Sequence, residues 1–200
     1  MTHPNPAFGW ADADELKAFA SKVAFGQIAV VVDGRPLLAQ APITVADDGA
    51  VQFHLARSNA VTNHIDGAPI VIGLLADDFY VSPDWYGSAD QVPTWNYRLV
   101  EMHGVARRLS DAELEAQVAR LSVEQEERLL PKPVWTIDKL PPAKRAAMLR
   151  AIVGFAIDSP AWTGTAKLGQ NKPAADRAAV AQALSGIGRS DLARLMEPRV

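Results

Sequence analysis

The sequence contains no cysteine among its 200 residues. This absence excludes disulfide bonds, a thiolate nucleophile and a cysteine-ligated metal site. No apolar run reaches the roughly 18 residues that a membrane-spanning helix needs, so no membrane span is predicted. The N-terminal stretch MTHPNPAFGW lacks the basic start and apolar centre of a secretory leader. A cytoplasmic location is therefore predicted.

Several motifs of catalysis and nucleotide binding are also missing. The chain has four histidines, and none has the spacing of an HExxH zinc site, so no metal site is predicted. It has no GxSxG elbow, no Walker loop and no GxGxxG, which disfavours the usual glycine-rich nucleotide loops. A net charge of −3 disfavours non-specific electrostatic binding of nucleic acid over a large surface, although it is compatible with a local basic patch.

The composition is that of an ordinary globular protein. Hydrophobic residues make up 48% and charged residues 22% of the chain. This length is enough to bury one good core. We predict one domain from residue 1 to residue 184. From residue 185 to residue 200, the glycine and arginine content predicts a weakly packed tail, in which Leu192 and Leu195 can still form a short helix.

Apolar periodicity predicts a mainly β protein with peripheral helices. Asp33-Gly34 between two apolar runs indicates a tight hairpin, and a further turn leads to a third strand. Three antiparallel strands in succession favour a sandwich or a barrel. Later strands are predicted at 69–76, 79–82, 94–109, 152–157 and 161–168, the last two as a pair. Helices are predicted at 12–22, after the capping box of Ser110 and Glu113, from Pro141 or Pro142 to about Leu149, and after Pro173.

The most unusual stretch is FYVSPDWYGSADQVPTWNY, residues 79–97, where aromatic residues lie in a loop between two predicted strands. Two interpretations are open. The aromatic side chains can close one end of a barrel. They can also form a flat wall for a planar ligand, with Thr94 and Asn96 supplying hydrogen bonds.

A second candidate site follows the third strand of the meander, at Arg57, Ser58 and Asn59. Ser58 or Asn59 can cap a short helix that ends at Gly67. A helix N-terminus beside a guanidinium and a hydroxyl can form an anion-binding site, especially for a phosphate. The plainer interpretation is an ordinary cap next to a solvated arginine.

Five sequence blocks, in this order along the chain, together resemble the PaiB family of FMN-binding negative transcriptional regulators of protease synthesis and sporulation. The blocks are HLARSN (54–59), SPDWY (82–86), VPTWNY (92–97), RAIVGFAI (150–157) and KLGQN (167–171). VPTWNY is rather specific to this family. The other blocks are weaker individually, but their occurrence together in one chain makes a chance match unlikely. The resemblance covers about residues 12–184.

The resemblance implies an FMN-binding split β-barrel with peripheral helices, usually a homodimer that holds FMN between its subunits. It implies that the phosphate of FMN lies at Arg57, Ser58 and Asn59. It also implies flavin contacts from a second group of residues: Trp95, Asn96, Lys167, Gln170 and Asn171. A lysine near the phosphate, or near the N1–C2=O edge of the flavin, would stabilise negative charge on reduction.

Two departures from the family pattern bear on the cofactor, because the family usually has tryptophan and serine where this chain has Ala166 and Gly169. The lost indole removes one candidate stacking wall, for which Trp162 is a possible substitute. Two functions stay open: a flavin-dependent regulator or sensor, and a flavin reductase or oxidase acting on NAD(P)H or a small molecule. No catalytic residue is identified by spacing, and no helix-turn-helix is evident. A haem-binding split barrel is a more remote third option.

Overall fold

The computed structural model describes residues 3–197, which contain nine strands and five α-helices. The strands are β1 (Gly9–Trp10), β2 (Phe25–Val32), β3 (Arg35–Val45), β4 (Val51–Ala56), β5 (Pro69–Val81), β6 (Thr94–Val105), β7 (Arg107–Arg108), β8 (Ile152–Ile157) and β9 (Ala161–Lys167). The helices are α1 (Ala13–Val23), α2 (Asp111–Glu127), α3 (Pro142–Arg150), α4 (Ala174–Gly186) and α5 (Ser190–Ala193). The predicted mainly β architecture is therefore confirmed.

The strands form one sheet in the order β1-β9-β6-β5-β2-β3-β4-β8-β7. The pairs β1/β9, β2/β3, β2/β5, β3/β4, β4/β8 and β7/β8 are antiparallel. The predicted pairing of the last two strands is wrong, because β8 lies between β4 and β7 whereas β9 lies between β1 and β6. Both segments are nevertheless strands.

The chain divides into two compact units. The Arg57 unit consists of residues 13–74 and 101–162, and the Lys167 unit consists of residues 3–12, 75–100 and 163–197. The core of the Arg57 unit includes Ile43, Phe53 and Phe155, which are almost fully buried. The core of the Lys167 unit includes Leu184 and Leu192.

Two short signals set the local structure of the Arg57 unit as predicted. Asp33 and Gly34 both have positive φ, 49° and 73°, and they form the two-residue turn between β2 and β3. Ser110 caps α2, because its hydroxyl accepts from the Glu113 backbone N–H while the Glu113 carboxylate accepts from the Ser110 N–H at 2.8 Å. The Arg107 guanidinium and the Ser110 hydrogen bonds lower the pKa of Glu113 to about 2.

Two strand boundaries differ from prediction. The strands predicted at 69–76 and 79–82 are one strand, β5, which continues through Asp77 with a φ of 55°. The long strand predicted at 94–109 is interrupted at Ala106, whose N–H donates to the Ala68 carbonyl oxygen at 3.0 Å. Local breaks in the apolar pattern therefore do not coincide with the ends of the strands.

The segment predicted to be a weakly packed tail contains α5 and a 3-10 helix, Arg194–Met196. Leu192, Ala193 and Met196 are buried. The expectation of a short helix around Leu192 is confirmed, and the segment is packed at these residues. The domain boundary at residue 184 stays a prediction, and the last three residues of the predicted tail lie outside the described residues.

Gly104 allows β6 to approach β8. A Cβ at this position would lie 2.3 Å from Cγ2 of Ile157, a branched atom close to the backbone that cannot swing away. We expect Gly104→Ala to reduce the free energy of unfolding by about 1–3 kcal/mol, because the added methyl group overpacks this contact. Urea unfolding followed by circular dichroism measures this loss.

Gly186→Ala is the matched control for Gly104→Ala. No heavy atom lies within 4 Å of a Cβ placed on Gly186, which is the last residue of α4. We expect this change to be neutral or to stabilise by up to about 1 kcal/mol, because alanine loses less backbone entropy than glycine in a helix. Equal losses in the two variants would contradict the close approach at Gly104.

Candidate functional site

The chain after β4 forms a compact turn. The predicted helix starting at Ser58 or Asn59 is wrong, since the first helical residues are the 3-10 helix Thr62–His64. The Asn59 side chain accepts a hydrogen bond from the Val61 N–H at 2.9 Å, and the Thr62 hydroxyl donates to the Ala56 carbonyl oxygen at 2.8 Å. These local bonds satisfy the backbone in a turn and leave no α-helix N-terminus to bind an anion.

The Arg57 side chain is directed by backbone carbonyls. Its Nε donates to the carbonyl oxygen of Arg150 at 2.9 Å, and its Nη2 donates to that of Ile152 at 3.3 Å. Both carbonyls lie where α3 ends and β8 begins. The guanidinium is thereby held at the surface of the Arg57 unit, while Ser58 is exposed.

A cavity of about 410 Å³ in the Arg57 unit has three arginines among its lining residues, Arg57, Arg108 and Arg150. The same lining includes Asp111 and Glu115. Of these two carboxylates, Glu115 forms an ion pair with an arginine outside the cavity lining, Arg145. The lining therefore carries more cationic than unpaired anionic charge, which suits a phosphate.

Sequence reasoning missed two of these arginines. In the sequence, Arg108 stands beside Arg107 as half of a short basic pair, and Arg150 is the first residue of the RAIVGFAI block. Within residues 3–197, the guanidinium groups of Arg108 and Arg150 form no ion pair. Their positions in the sequence do not predict that they line one cavity with Arg57. They come together only because β7, which contains Arg108, pairs with β8, which follows Arg150.

The Lys167 unit contains a second cavity, of about 250 Å³. Three predicted flavin contacts line it together: Asn96, Lys167 and Asn171. Lys172 and Tyr86, which were not predicted contacts, also line it. Among the residues that the structure describes, its lining contains no carboxylate and consists of His3, Phe8, Tyr86, Val92, Pro93, Thr94, Asn96, Lys167, Gly169, Asn171 and Lys172.

The two lysines of this cavity are oriented by neutral groups. Lys167 Nζ donates to the Thr94 hydroxyl at 2.6 Å, and burial lowers the pKa of Lys167. Lys172 Nζ donates to Gln91 Oε1 at 2.6 Å and lies 5.1 Å from the centroid of the Tyr86 ring. Thr94, which the sequence suggested as a ligand contact, thus supports Lys167. The arrangement suits an acceptor-rich or anionic group.

The other two predicted contacts, Trp95 and Gln170, do not line this cavity. Trp95 is 54% exposed and packs edge-on against Tyr80, with ring centroids 6.2 Å apart, whereas its neighbour Asn96 is buried. Adjacent strand residues point to opposite faces, which explains the difference. The Gln170 amide bonds within its own turn, donating to the Ala166 carbonyl oxygen and accepting from the Leu168 N–H.

The loop before β6 is attached to α4 by Asp176, whose side chain is buried. Its carboxylate accepts from the backbone N–H groups of Gly87 and Ser88, each at 3.0 Å, and from the Ser88 hydroxyl at 2.6 Å. This attachment fixes the loop that supplies Tyr86 to the cavity. Burial and the Asp176 carboxylate raise the pKa of Tyr86.

We expect Asp176→Asn to weaken the protein most at neutral pH. The hydrogen bond from the Ser88 hydroxyl lowers the pKa of Asp176, so its stabilising effect is complete above the ordinary value of about 3.9 and is lost as the pH falls through the lowered pKa. The difference in unfolding free energy between the two proteins should therefore be constant above about pH 5 and shrink below it, as the pH falls through the lowered pKa of Asp176. Asp90→Asn, an exposed change in the same loop, should leave the pH profile unaltered.

Among the described residues, His3 lines the Lys167 cavity, and no histidine lines the arginine-lined cavity. His54 is half-buried, and its Nδ1 lies 2.9 Å from Gln117 Oε1, so this ring nitrogen has a polar partner. Burial lowers the pKa of His54. Residues 3–197 contain no group of three or more histidine and carboxylate side chains placed to hold a metal ion. Across the same residues, no helix is both long enough and apolar enough to cross a membrane.

Solved structures of the same fold define the class of protein. The chain resembles the FAD and heme binding protein from Mycobacterium smegmatis, with a TM-score of 0.60 and 16% identity over 80% of this chain and 73% of that one. It also resembles the flavocytochrome Anf3 from Azotobacter vinelandii, with a TM-score of 0.58 and 15% identity over 82% of this chain and 71% of that one. At these identities the likeness shows the fold alone, which is the split β-barrel with peripheral helices.

The chain belongs to the family described as "Putative FMN-binding domain", whose model matches residues 2–159. It is also 29% identical, over 96% of its length and 95% of the relative's, to protease synthase and sporulation protein PAI 2 of Bacillus subtilis (strain 168). The predicted resemblance to the PaiB family is confirmed, and FMN is the cofactor that this membership assigns. The positive charge of the arginine-lined cavity complements the negative charge of the FMN phosphate.

Proposed function

We propose that this protein is an FMN-dependent transcriptional regulator that acts as a homodimer and holds the FMN phosphate at Arg57. The observation that carries the phosphate assignment is the convergence of Arg57, Arg108 and Arg150 on one cavity. The regulatory role is supported by the relationship to PAI 2, which extends over nearly the whole of both chains.

Charge and geometry favour a phosphate over a neutral ligand in the arginine-lined cavity. The two guanidiniums of Arg108 and Arg150 have no ion partner among the described residues, and Arg57 is already oriented by carbonyl oxygens. An oriented guanidinium loses less side-chain entropy when it binds a phosphate in a two-point arrangement. Ser58 adds an exposed hydroxyl at the same turn, and Asn59 maintains the turn.

A second part of the proposal concerns the Lys167 unit, where Asn96, Lys167 and Asn171 contact the flavin. FMN supplies reversible redox chemistry when it is bound. A partly buried Lys167 would stabilise the negative charge that reduction places on the flavin. Trp95 and Gln170 remain predicted flavin contacts, although each already has a partner within the chain.

Homodimer formation is supported by exposed apolar side chains on the Arg57 unit. Phe25, Val31, Leu38 and Val105 are all more than half exposed. Val31 and Val105 also line an apolar depression on this unit. Exposed apolar groups of this kind mark surfaces that bind another protein chain.

The sequence has two short basic pairs, Arg107-Arg108 and Lys144-Arg145, and ion pairs within the protein restrict DNA binding through them. Arg107 is bound by Asp158 and Glu113, and Arg145 is bound by Glu115 and Asp138. Of the other two members, Arg108 lines the proposed phosphate cavity, and Lys144 is exposed and forms no ion pair among residues 3–197. A regulator built this way should use few phosphate contacts, so its DNA affinity should fall only moderately with salt.

The test begins with the absorbance spectrum of purified protein before and after addition of FMN, together with its mass by light scattering. We expect a flavin spectrum perturbed by binding and a dimer mass. Selection from a random DNA duplex library, with and without FMN, then tests regulation. Steady NAD(P)H consumption with FMN, combined with no selected DNA sequence, would instead favour the reductase or oxidase.

A further inference from the structure

Tyr86 and Lys172 line the Lys167 cavity, the cavity of about 250 Å³ that the proposed flavin contacts Asn96, Lys167 and Asn171 also line. Neither of the two is among the flavin contacts that the family resemblance implies. A ligand that reaches the three proposed contacts lies in the same cavity as this pair. The chemistry of the pair therefore bears on which form of the ligand the cavity favours.

The Tyr86 hydroxyl is a donor that the protein leaves unused. It is accessible and has no hydrogen-bond partner among residues 3–197. The chain just beyond it is fixed, because the Asp176 carboxylate accepts from the backbone N–H groups of Gly87 and Ser88. Burial and the Asp176 carboxylate raise the pKa of Tyr86, so the phenol keeps its proton at neutral pH. It can therefore donate a hydrogen bond to a ligand.

Lys172 brings a second cation to the cavity. Its Nζ donates to Gln91 Oε1 at 2.6 Å and lies 5.1 Å from the centroid of the Tyr86 ring, while its other two N–H groups form no hydrogen bond with the described residues. The Asp176 carboxylate interacts with Lys172 electrostatically but forms no ion pair with it. Lys167 likewise uses one donor, to the Thr94 hydroxyl, and keeps two.

The charges around the cavity suit the reduced flavin better than the oxidised one. The oxidised ring system is neutral, whereas the addition of two electrons and one proton gives an anion with its charge near N1 and C2=O. Two lysines line the cavity, and Asp176 is a carboxylate close to the lining but outside it. Together they leave one uncompensated positive charge, which matches the single negative charge of the reduced ring.

We propose, on the basis of the flavin assignment made above, that Tyr86 and Lys172 cause the Lys167 cavity to bind reduced FMN more tightly than oxidised FMN. Lys172 stabilises the negative charge together with Lys167, and the Tyr86 hydroxyl donates to a ring acceptor that gains electron density on reduction. The protein supplies neither the two electrons nor the proton, and it discriminates between two ligands that differ by them. Its occupancy at a fixed FMN concentration therefore rises under reducing conditions.

The test is anaerobic isothermal titration of the full chain with FMN and with dithionite-reduced FMN. We expect the reduced form to bind at least 10-fold more tightly. A 10-fold preference raises the two-electron potential of the bound flavin by about 30 mV above that of free FMN, which spectroelectrochemistry measures independently. Equal affinities, or weaker binding of the reduced form, would overturn the proposal.

Variants of the pair identify the source of the preference. Lys172→Met should remove most of it by weakening the binding of reduced FMN, whereas Lys172→Arg, which keeps the charge, should retain most of it. Tyr86→Phe removes only the hydroxyl and should reduce the preference by about 3-fold. Lys144→Met, a change at an exposed lysine that lines neither the Lys167 cavity nor the arginine-lined cavity, should leave both dissociation constants unchanged.

Lys167→Met separates this proposal from the flavin assignment on which it rests. If Lys167→Met weakens FMN binding while Lys172→Met and Tyr86→Phe keep the full preference for reduced FMN, the flavin assignment holds and the role of the pair is wrong. If FMN binds the protein but none of the three variants alters either dissociation constant, the flavin does not occupy this cavity and both are wrong. Circular dichroism confirms that each variant is folded.

Discussion

Arg57→Ala should weaken FMN binding by about 10-fold to 150-fold, the equivalent of roughly 1.5–3 kcal/mol for a charged hydrogen bond to a phosphate. The loss is expected because Arg57 is the arginine of its cavity that backbone carbonyls hold in place. Fluorescence titration of the flavin gives the dissociation constant directly. Among the functional predictions, this one has the largest expected effect.

Riboflavin, which lacks the phosphate, separates a phosphate contact from a general structural defect. The wild-type protein should prefer FMN to riboflavin, and Arg57→Ala should lose most of that preference while its riboflavin affinity changes little. Arg35→Ala removes an exposed arginine of the same unit that lies outside the cavity, and it should leave both affinities unchanged. An unaltered FMN affinity in Arg57→Ala would refute the assignment of the phosphate to this turn.

Phe53→Ala should reduce the free energy of unfolding by about 3–5 kcal/mol, the usual cost of removing a buried phenyl ring. Phe53 is fully buried, and its ring lies 5.5 Å from that of Phe155, the residue opposite it in β8. The two rings join the strands that lead to Arg57 and to the carbonyl of Ile152. Urea unfolding measures the loss.

Phe25→Ala provides the comparison within the same sheet, because Phe25 is 57% exposed at the start of β2. Its effect on the unfolding free energy of the monomer should stay within about 0.5 kcal/mol. If Phe53→Ala cost no more than Phe25→Ala, the β4/β8 core would not be the main stabilising contact of the Arg57 unit. The FMN affinity of Phe53→Ala, measured at urea concentrations well below those that unfold it, also shows whether the packing of this core is needed to position Arg57.

Short-range chemistry made much of the fold predictable. Asp33-Gly34 specified a hairpin because both residues tolerate positive φ, and Ser110 with Glu113 specified a helix start through reciprocal hydrogen bonds. Such signals depend on residues that are neighbours in sequence. The pairing of β8 with β4 is a long-range contact, and the apolar character of β8 suits several partners equally well.

The candidate sites were harder to derive for the same reason. Arg57 was found from the turn that it opens, although the helix expected there is absent because the Asn59 side chain stabilises a tighter turn. Arg108 and Arg150 reach that cavity only through strand pairing and the end of α3.

Residues 166–171 alternate between the Lys167 cavity and a second cavity of the same unit, which Ala166, Leu168 and Gln170 line, and this alternation restricts how the protein can change during evolution. Substitutions at Lys167 or Ala166 can adjust either cavity alone, because neighbouring positions serve different linings. Insertion or deletion of one residue in β9 would exchange the two sets, moving the lysine into the cavity that Ala166 now lines and the alanine out of it. Relatives that keep both chambers should therefore conserve the length of this strand more strictly than the identity of any single residue in it.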